Sequence, residues 1–315
     1  MGLTTLWNRL AERLWKERTA GGAWGYGTKQ EATEPTSLSL LALSTRSTCS
    51  LQQLRGVVAR LESWQKPDGS WPAFAGDDGE GCWATALAAI TLTQLGGDAG
   101  RCTQALEWLL SARCREANWF WRWKLRAFDN KAQFDPAKFG WGWVPDTVSW
   151  VIPTAFALIA LQQLESRLDG DRRQIDARIS LGTAMLLDRA CVGGGWNAGN
   201  KVVYQAPLQP HIEATALALL AMRRYLGERQ ARQALEWLAV VAPSCASPYS
   251  VGWALLALAA CRRASPGFRD SVARMSDQLT ALLAGARAPF DACTLAVCCL
   301  AFDATEGRNV FEVPS

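Results

Sequence analysis

The sequence predicts an all-α fold, an (α/α)6 toroid in which two concentric rings of helices surround an apolar central cavity. Three observations predict it: segments that are apolar on every side, segments with charges on one side only, and the alternation of the two along the chain. A helix without a polar face has to be buried all round, so the apolar segments need cover from the others. We expect residues 1–315 to form one such domain.

The apolar segments recur six times and are the expected inner helices. Self-similarity of this kind is the signature of a repeat architecture. Successive copies lie 49, 69, 61, 36 and 42 residues apart. Their expected starts are near Thr36, Thr85, Thr154, Thr215, Val251 and Cys293.

The amphipathic segments lie before and between the apolar ones and are the expected outer helices, each with one wet face. Together with the N-terminal segment they make six pairs, enough to close a ring rather than leave an open solenoid. The expected outer segments are 3–16, 51–64, 105–110, 175–189, 231–239 and 268–283.

Turns that combine glycine with tryptophan follow three of the outer helices. Glycine takes the left-handed conformation that ends a helix. The tryptophan that follows is expected to fold back over the helix ends and bury its ring between neighbouring repeats. The three turns are Gly21-Gly22-Ala23-Trp24, Asp68-Gly69-Ser70-Trp71 and Gly193-Gly194-Gly195-Trp196.

One of these turns belongs to a longer segment, Trp64-Gln65-Lys66-Pro67-Asp68-Gly69-Ser70-Trp71, which resembles the Gln-Trp repeat of squalene-hopene and oxidosqualene cyclases. The Gly-x-Trp half recurs at residues 22–24 and 194–196, and the likeness covers roughly residues 20–300 at repeat level. The resemblance implies the toroid of the terpenoid cyclases and protein prenyltransferases. It also implies a terpenoid-cyclase-like protein that binds a polyprenyl or triterpenoid chain and catalyses acid-initiated cyclisation or isomerisation.

In those cyclases an Asp-x-Asp-Asp motif precedes a Thr at the start of an inner helix, and its central Asp protonates an alkene or epoxide. The equivalent positions here are 32–35, 81–84, 150–153 and 211–214, and none contains the three acids. Single acids nevertheless cluster before the inner helices, and an apolar niche keeps a carboxylic acid protonated. They are Glu31, Glu34, Asp77, Asp78, Glu80, Asp146, Glu213 and Asp291.

From this set we select Glu213, Asp77, Asp78 and Asp146 as candidate catalytic residues, together with His211, the chain's single histidine. A His hydrogen-bonds the catalytic acid in the cyclases, and His211 stands two residues before Glu213. Side chains at that spacing do not face each other on a helix, so a local helix cap is the competing role for His211. Capping is also the competing role for each acid.

Aromatic rings on or beside the inner helices are the expected lining of the cavity. Their negative π faces stabilise carbocations, and a wide apolar cavity lined by rings favours an apolar ligand such as an isoprenoid. Simple filling of the core is the alternative role. The candidate substrate-binding residues are Trp83, Trp141, Trp143, Trp150, Phe156, Trp196, Tyr204 and Trp253.

The segment Asp291-Ala292-Cys293 resembles the Asp-x-Cys zinc ligands of protein prenyltransferase β-subunits, in which a later His completes the site. No histidine follows here, and zinc takes three or four protein ligands. We therefore expect no metal and no other cofactor, with Asp291 as a helix cap and Cys293 as a buried thiol. A noncatalytic isoprenoid-binding or protein-interaction scaffold is the first alternative function, and a prenyltransferase β-like subunit is the second.

Composition argues against several other classes. The formal charge of +4 comes from 33 basic and 29 acidic residues without a clustered basic face, which argues against nucleic acid as a partner. Several of the ten cysteines lie inside apolar runs, as free thiols do in a reducing compartment. Neither a secretion signal nor a membrane-spanning segment is predicted. We expect a cytoplasmic protein and leave the oligomeric state open.

An insertion at about residues 114–148 is the least expected part of the chain. Its segment Trp119-Phe120-Trp121-Arg122-Trp123-Lys124-Leu125-Arg126 mixes rings with cations, and the chain has 16 tryptophans, a residue that favours interfaces. The sequence leaves three roles open: a lid over the cavity, a flap that makes the protein peripheral to a membrane, and a packing element.

Overall fold

The fold is described from a computed structural model of residues 3–27, 30–46, 51–77, 79–128, 133–168, 171–261, 266–285 and 289–313. Within these ranges there are thirteen α-helices and one short antiparallel hairpin, so the all-α class is confirmed. The hairpin pairs β1 (Val202–Val203) with β2 (Ala206–Pro207). In chain order the helices are α1 (Leu3–Lys16), α2 (Thr33–Ser44), α3 (Leu51–Ser63), α4 (Ala84–Leu95), α5 (Ala99–Ser111), α6 (Trp119–Phe128), α7 (Val151–Glu165), α8 (Arg172–Arg189), α9 (Ile212–Ala221), α10 (Arg229–Val241), α11 (Pro248–Cys261), α12 (Arg269–Gly285) and α13 (Ala292–Thr305).

The helices form two concentric rings. The apolar helices α2, α4, α7, α9, α11 and α13 contact one another in that order, and α13 returns to contact α2, so the inner ring is closed. The amphipathic helices α1, α3, α5, α8, α10 and α12 pack around them, and α1 lies against α13. The predicted toroid is therefore confirmed. We call the space inside the inner ring the lumen.

The inner helices run in the same direction, because each outer helix brings the chain back before the next inner helix begins. The N-terminal ends of the inner helices therefore lie together at one end of the toroid, and their C-terminal ends lie together at the other. At one end the Ser250 hydroxyl of α11 donates a hydrogen bond to Glu213 of α9. At the other end Gln94 Nε2 of α4 donates to Gln163 Oε1 of α7 at 3.1 Å. We call these ends the N-terminal rim and the C-terminal rim.

In the first four repeats, one tryptophan joins the outer helix to the inner helix that follows. Its indole N–H donates to a carbonyl of the outer helix and its backbone N–H donates to a threonine of the inner helix, an arrangement that we call a tryptophan–threonine link. In one, Trp71 Nε1 donates to the Leu61 carbonyl of α3 at 2.8 Å, and the Trp71 backbone N–H donates to Thr85 Oγ1 of α4 at 2.9 Å. The ring is fully buried, as expected for the Gly-x-Trp turns. The other links join Trp24 to Leu14 and Thr36, Trp141 to Leu109 and Thr154, and Trp196 to Leu186 and Thr215.

The turn before Trp71 requires glycine for two separate reasons. Gly69 has a φ of +87°, in the left-handed region that side chains disfavour. A Cβ atom at this position would also lie 2.3 Å from the Gln104 carbonyl oxygen of α5. The turn therefore packs directly on the next outer helix.

The insertion is buried at its base and exposed along its helix. Glu116 is fully buried, accepts a hydrogen bond from the Ser149 backbone N–H at 3.0 Å, and lies 3.4 Å from Arg189 Nη2 at the end of α8. In α6, by contrast, Trp119 is 72% exposed and Trp123 is 53% exposed. The base of the insertion is thus a packing element, whereas the outward face of α6 is uncovered.

Across the described ranges, none of the helices has the length and apolarity needed to cross a membrane. The nine cysteines within those ranges are free thiols, and all but Cys245 are buried.

Candidate functional site

Three aromatic rings meet at mid-depth in the lumen, and a fourth, that of Trp83 at the N-cap of α4, lies beside them towards the N-terminal rim. The ring centroids of Phe156 on α7 and Trp253 on α11 lie 6.0 Å apart, although α9 separates these two helices in the inner ring. Phe311, from the segment after α13, lies 6.3 Å from Phe156 and 5.4 Å from Trp253, and Trp83 lies 5.4 Å from Phe156. Helices that are not neighbours in the ring make such contacts only across the lumen, so these rings occupy its centre.

Above the rings, the N-terminal rim carries a glutamate that faces several inner helices at once. Glu34, the second residue of α2, accepts a hydrogen bond from the Tyr26 hydroxyl. Burial and, second, the charge of Glu34 raise the pKa of Tyr249 on α11. The same two causes raise the pKa of Cys293 on α13. Glu34 therefore influences side chains on α11 and α13 as well as those near its own helix.

The surroundings of Glu34 favour its protonated form. Loss of hydration raises its pKa above the ordinary value, and the negative charge of Asp291 raises the pKa further. The hydrogen bond from Tyr26 acts in the opposite direction, because it stabilises the carboxylate. The net shift is upward, so Glu34 keeps its proton to a higher pH than an ordinary glutamate. An acid catalyst needs this property.

Glu34 and Glu213 occupy the same position in two repeats, two residues before the threonine of the tryptophan–threonine link. The cyclase motif has its central Asp at this position. Their surroundings differ, because Glu213 accepts a hydrogen bond from the Ser250 hydroxyl of the neighbouring helix rather than from a phenol. Sequence reasoning counted Glu34 among the acids but did not select it. Its position two residues before Thr36 is the sequence signal that could have identified it.

Two other predicted acids lie in surface loops. Asp77 is exposed and accepts a hydrogen bond from the Gly79 backbone N–H of its own turn at 2.9 Å. Asp146 is exposed in the loop before α7, where its φ is 56°. Asp78 lies outside the described residues.

His211 does not form the expected pair with Glu213. It is exposed at the N-cap of α9, and its side chain makes no capping hydrogen bond, so the local-cap interpretation is wrong as well. Its backbone N–H donates to the Trp196 carbonyl at 2.8 Å.

Of the eight predicted lining rings, Phe156, Trp253 and Trp83 reach the lumen cluster described above. Trp143 lies at the N-terminal rim, 37% exposed, with its ring 5.3 Å from that of Trp83. Trp150 is half-buried at the N-cap of α7, and its ring lies beside Gly199 in the loop after α8. Whether these rings bind a substrate stays a prediction.

The remaining three predicted lining rings are Trp141, Trp196 and Tyr204. Trp141 and Trp196 are buried in tryptophan–threonine links, where their indole N–H groups donate to carbonyls of the outer helices α5 and α8 at 2.9 and 2.6 Å. Trp141 was not predicted to form a link because it lies within the insertion, 32 residues after its acceptor Leu109. Tyr204 is 70% exposed in the hairpin turn between β1 and β2.

The segment that resembles a zinc site has structural roles. Asp291 Oδ1 accepts a hydrogen bond from the Thr294 backbone N–H at 2.7 Å and so caps α13. Cys293 is buried. Both interpretations from the sequence are confirmed. Within the described part of the chain, no three His, Cys, Asp or Glu side chains are grouped so that they would hold a metal ion.

Neither a protein-family model nor a curated protein matches the chain. Among solved structures, a protein from Actinoplanes is 16% identical with a TM-score of 0.61, over 96% of this chain and 99% of the other. The type II terpene cyclase MstE from Scytonema, in its apo form, is 13% identical with a TM-score of 0.58, over 96% and 97%. A variant of MstE in complex with its substrate, geranylgeranyl dihydroxybenzoate, is 13% identical with a TM-score of 0.55, over 96% of each chain. The chain therefore has a terpenoid-cyclase-like fold.

Proposed function

We propose that this protein is a terpenoid-cyclase-like enzyme that admits a prenyl chain through the N-terminal rim and starts an acid-initiated cyclisation or isomerisation. Glu34 is the proton donor. One observation carries the proposal: a desolvated glutamate, hydrogen-bonded by Tyr26, stands above a layer of aromatic rings at the centre of the ring of helices. The likeness to MstE supports it, because that type II terpene cyclase matches this single ring over nearly its whole length and binds a geranylgeranyl chain.

The first chemical step is a proton transfer from Glu34 to an alkene of the bound chain. The alkene π electrons form the new C–H bond at the less substituted carbon, and the other carbon becomes a tertiary carbocation. A second alkene then supplies the electrons for a new C–C bond, and final loss of a proton makes the product an isomer of the substrate. The Tyr26 hydroxyl stabilises the carboxylate that the first step leaves behind.

The rings in the lumen have two roles in this scheme. The π faces of Trp83, Phe156 and Trp253 stabilise the carbocation as it moves away from Glu34. Burial of the apolar chain supplies affinity at about 25 cal/mol per Å² without a charged contact.

The carboxyl groups of the rim argue against a diphosphate head group. Glu34, Glu213 and Asp291 are carried by α2, α9 and the start of α13, and Asp291 is near enough to raise the pKa of Glu34. A diphosphate at this mouth would meet the negative charge of Asp291 in a partly desolvated setting, which is unfavourable. We therefore expect neutral prenyl compounds to bind more tightly than prenyl diphosphates.

The test is to compare Glu34→Gln with Glu213→Gln, which removes the carboxylate at the matching position of another repeat. Each protein is incubated with geranylgeranyl dihydroxybenzoate, squalene and geranylgeranyl diphosphate, and products and binding are measured. We expect Glu34→Gln to lower product formation by about 100-fold or more while the dissociation constant changes little, since only the proton donor is lost. Glu213→Gln should remain within about tenfold of the wild type.

Three results would count against this assignment. Undiminished product formation by Glu34→Gln would remove Glu34 from the mechanism. Binding without turnover by the wild type would favour the noncatalytic isoprenoid-binding alternative. Failure to bind any of the three compounds would leave a protein-interaction scaffold as the better account.

We also propose that the outward face of α6 contacts a membrane next to the lumen entrance. Trp119, Phe120 and Trp123 are exposed there. Arg115 and Lys124 lie over the Trp121 ring, 5.2 and 4.8 Å from its centroid, so cations border the exposed rings as at a lipid headgroup interface.

Two hydrogen bonds support a location of α6 beside the N-terminal rim. Arg115, just before α6, donates through Nε to the Asp146 carbonyl at 2.9 Å, in the same loop as Trp143. Trp143 in turn accepts at its carbonyl from the Trp83 backbone N–H at 2.9 Å. An apolar ligand that leaves a membrane at α6 therefore arrives beside the mouth of the lumen.

A further inference from the structure

The segment that follows α13 enters the inner ring from the C-terminal rim. Gln163, a buried residue of α7, donates through Nε2 to the carbonyls of Val310 and Glu312 at 2.9 and 3.2 Å. Arg223, just after α9, forms an ion pair with Glu312. The two carbonyls that flank Phe311 are thus held by the same side chain, so Phe311 has a defined position.

The start of this segment is tied to the ring as well. Asp303, fully buried on α13, accepts hydrogen bonds from the Arg308 backbone N–H at 2.9 Å and from Arg308 Nη2 at 3.1 Å. Asn309 Nδ2 donates to the Leu256 carbonyl of α11 at 3.3 Å. Anchors on α7, α11 and α13 therefore hold the segment against the C-terminal rim.

Phe311 is fully buried and is the deepest part of the segment. Its ring contacts Phe156 and Trp253, each of which is the sixth residue of its helix. At 1.5 Å per residue, this layer lies about 8 Å below the first residues of the inner helices. An extended chain of four isoprene units is longer than that depth.

The two sides of the ring layer differ in what covers them. On the side of the N-terminal rim, the half-buried side chains of Glu34, Trp83 and Tyr249 border the mouth. On the other side the segment after α13 lies against the layer, with Phe311 and Val313 buried and Val310 and Glu312 half-buried. A ligand that enters through the N-terminal rim therefore meets Phe311 as the end of its path.

We propose that Phe311 is the floor of the ligand site and sets the longest chain that the lumen accepts. This inference rests on the proposed function only in taking the lumen as the ligand site. Removal of the Phe311 ring opens space beyond the end of the bound chain. Additional apolar carbons of a longer ligand are then buried in this space and contribute to binding. The floor is supplied by the C-terminal segment rather than by an inner helix, so one side chain changes the depth without altering the ring of helices.

The test measures the affinity of the protein for two series of alcohols of increasing length. One series is geraniol, farnesol and geranylgeraniol, and the other is saturated unbranched alcohols of matching lengths. The variants are Phe311→Ala and Phe311→Leu, the second of which keeps an apolar side chain should the alanine variant not fold. The controls are Phe302→Ala and Phe302→Leu, at a fully buried phenylalanine of α13. We expect the preference for geranylgeraniol over farnesol to rise by about tenfold in Phe311→Ala, less in Phe311→Leu, and not in the controls.

The outcomes separate this proposal from the proposed function. Unchanged length preference in the folded Phe311 variants would overturn the floor and leave the enzyme proposal standing. A shift seen only with the unbranched alcohols, without isoprenoid binding, would support the floor and count against the enzyme proposal. No binding of either series to any of the proteins would overturn both.

Discussion

The two rims of the toroid are built from opposite ends of the same inner helices, and they treat their carboxylates in opposite ways. At the C-terminal rim, Asp303 is fully buried and lies 2.6 Å from Arg46 Nε and 3.1 Å from Arg308 Nη2. It also accepts a hydrogen bond from Trp7 Nε1 of α1 at 2.9 Å. At the N-terminal rim, Glu34 is half-buried and is hydrogen-bonded by the phenol of Tyr26. One carboxylate is neutralised by cations, whereas the other is desolvated without such a partner.

Asp303 is therefore suited to stabilising the fold, whereas Glu34 is suited to the proposed chemistry. A buried carboxylate bonded to two arginines and an indole joins α1, α13 and the end of α2, which closes the rings where the first and last repeats meet. A desolvated carboxyl beside another acid tends to hold its proton. The C-terminal rim is therefore suited to holding the toroid together, and the N-terminal rim is suited to proton transfer.

The largest effect on stability is expected from Asp303→Ala. Its removal leaves Arg46 and the indole N–H of Trp7 without their buried acceptor, and loss of one partner of a buried pair costs about 3–5 kcal/mol. The free energy of unfolding, measured in urea, should fall by that amount. Glu306→Ala is the control, because Glu306 is partly exposed and lies 3.1 Å from the same arginine, and its loss should cost less than about 1 kcal/mol. Equal losses in the two variants would refute the distinction between the rims.

A smaller effect, with a defined pH dependence, is expected from Glu34→Gln. Because the pKa of Glu34 is raised on folding, its contribution to stability is present below the ordinary pKa of 4.5 and is lost as the pH rises through the folded value. The variant should therefore gain stability relative to the wild type as the pH increases from 4 towards 8. Thermal unfolding across this range is the measurement, and a variant that is less stable at the upper end would contradict the assignment.

For Glu31→Gln, in the same repeat, we expect the opposite dependence of stability on pH. Burial would raise the pKa of Glu31, but hydrogen bonds from Arg60, Thr19 and the Ala23 backbone together lower it. Its contribution is present above the ordinary pKa of 4.5 and is lost as the pH falls through the folded value. The difference between this variant and the wild type should therefore shrink on acidification.

The smallest effect on stability is expected from Trp123→Ala, which tests the exposed side of the N-terminal rim. Trp123 is 53% exposed, so the free energy of unfolding should change by less than about 0.5 kcal/mol. Binding to vesicles that contain anionic lipids should weaken by about fivefold or more, because an interfacial ring is lost. Val240→Ala, at a residue of α10 that is 77% exposed, should leave vesicle binding unchanged. Equal binding by the two variants would argue against membrane contact through α6.

The sequence by itself determined the helices and their arrangement in layers. The absence of charge over whole helical turns predicted the inner helices: α4 and α13 begin one residue before the expected start, and α2, α7, α9 and α11 begin three residues before it. The Gly-x-Trp turns predicted three links, because backbone conformation and a ring that folds back over its own helix are local properties. Such signals depend on neighbours in the chain, which the sequence shows directly.

Only the tertiary structure decided which side chains meet. Glu34 and Glu213 have the same register in the sequence, and they differ in what lies across the rim: Asp291 raises the pKa of Glu34, whereas Ser250 donates to Glu213. Phe311 reaches the lumen because Gln163, at a separation of 147 residues from Val310, holds the carbonyl before it. Desolvation and hydrogen bonding depend on groups that the closed ring brings together, and no local pattern in the chain records those distances.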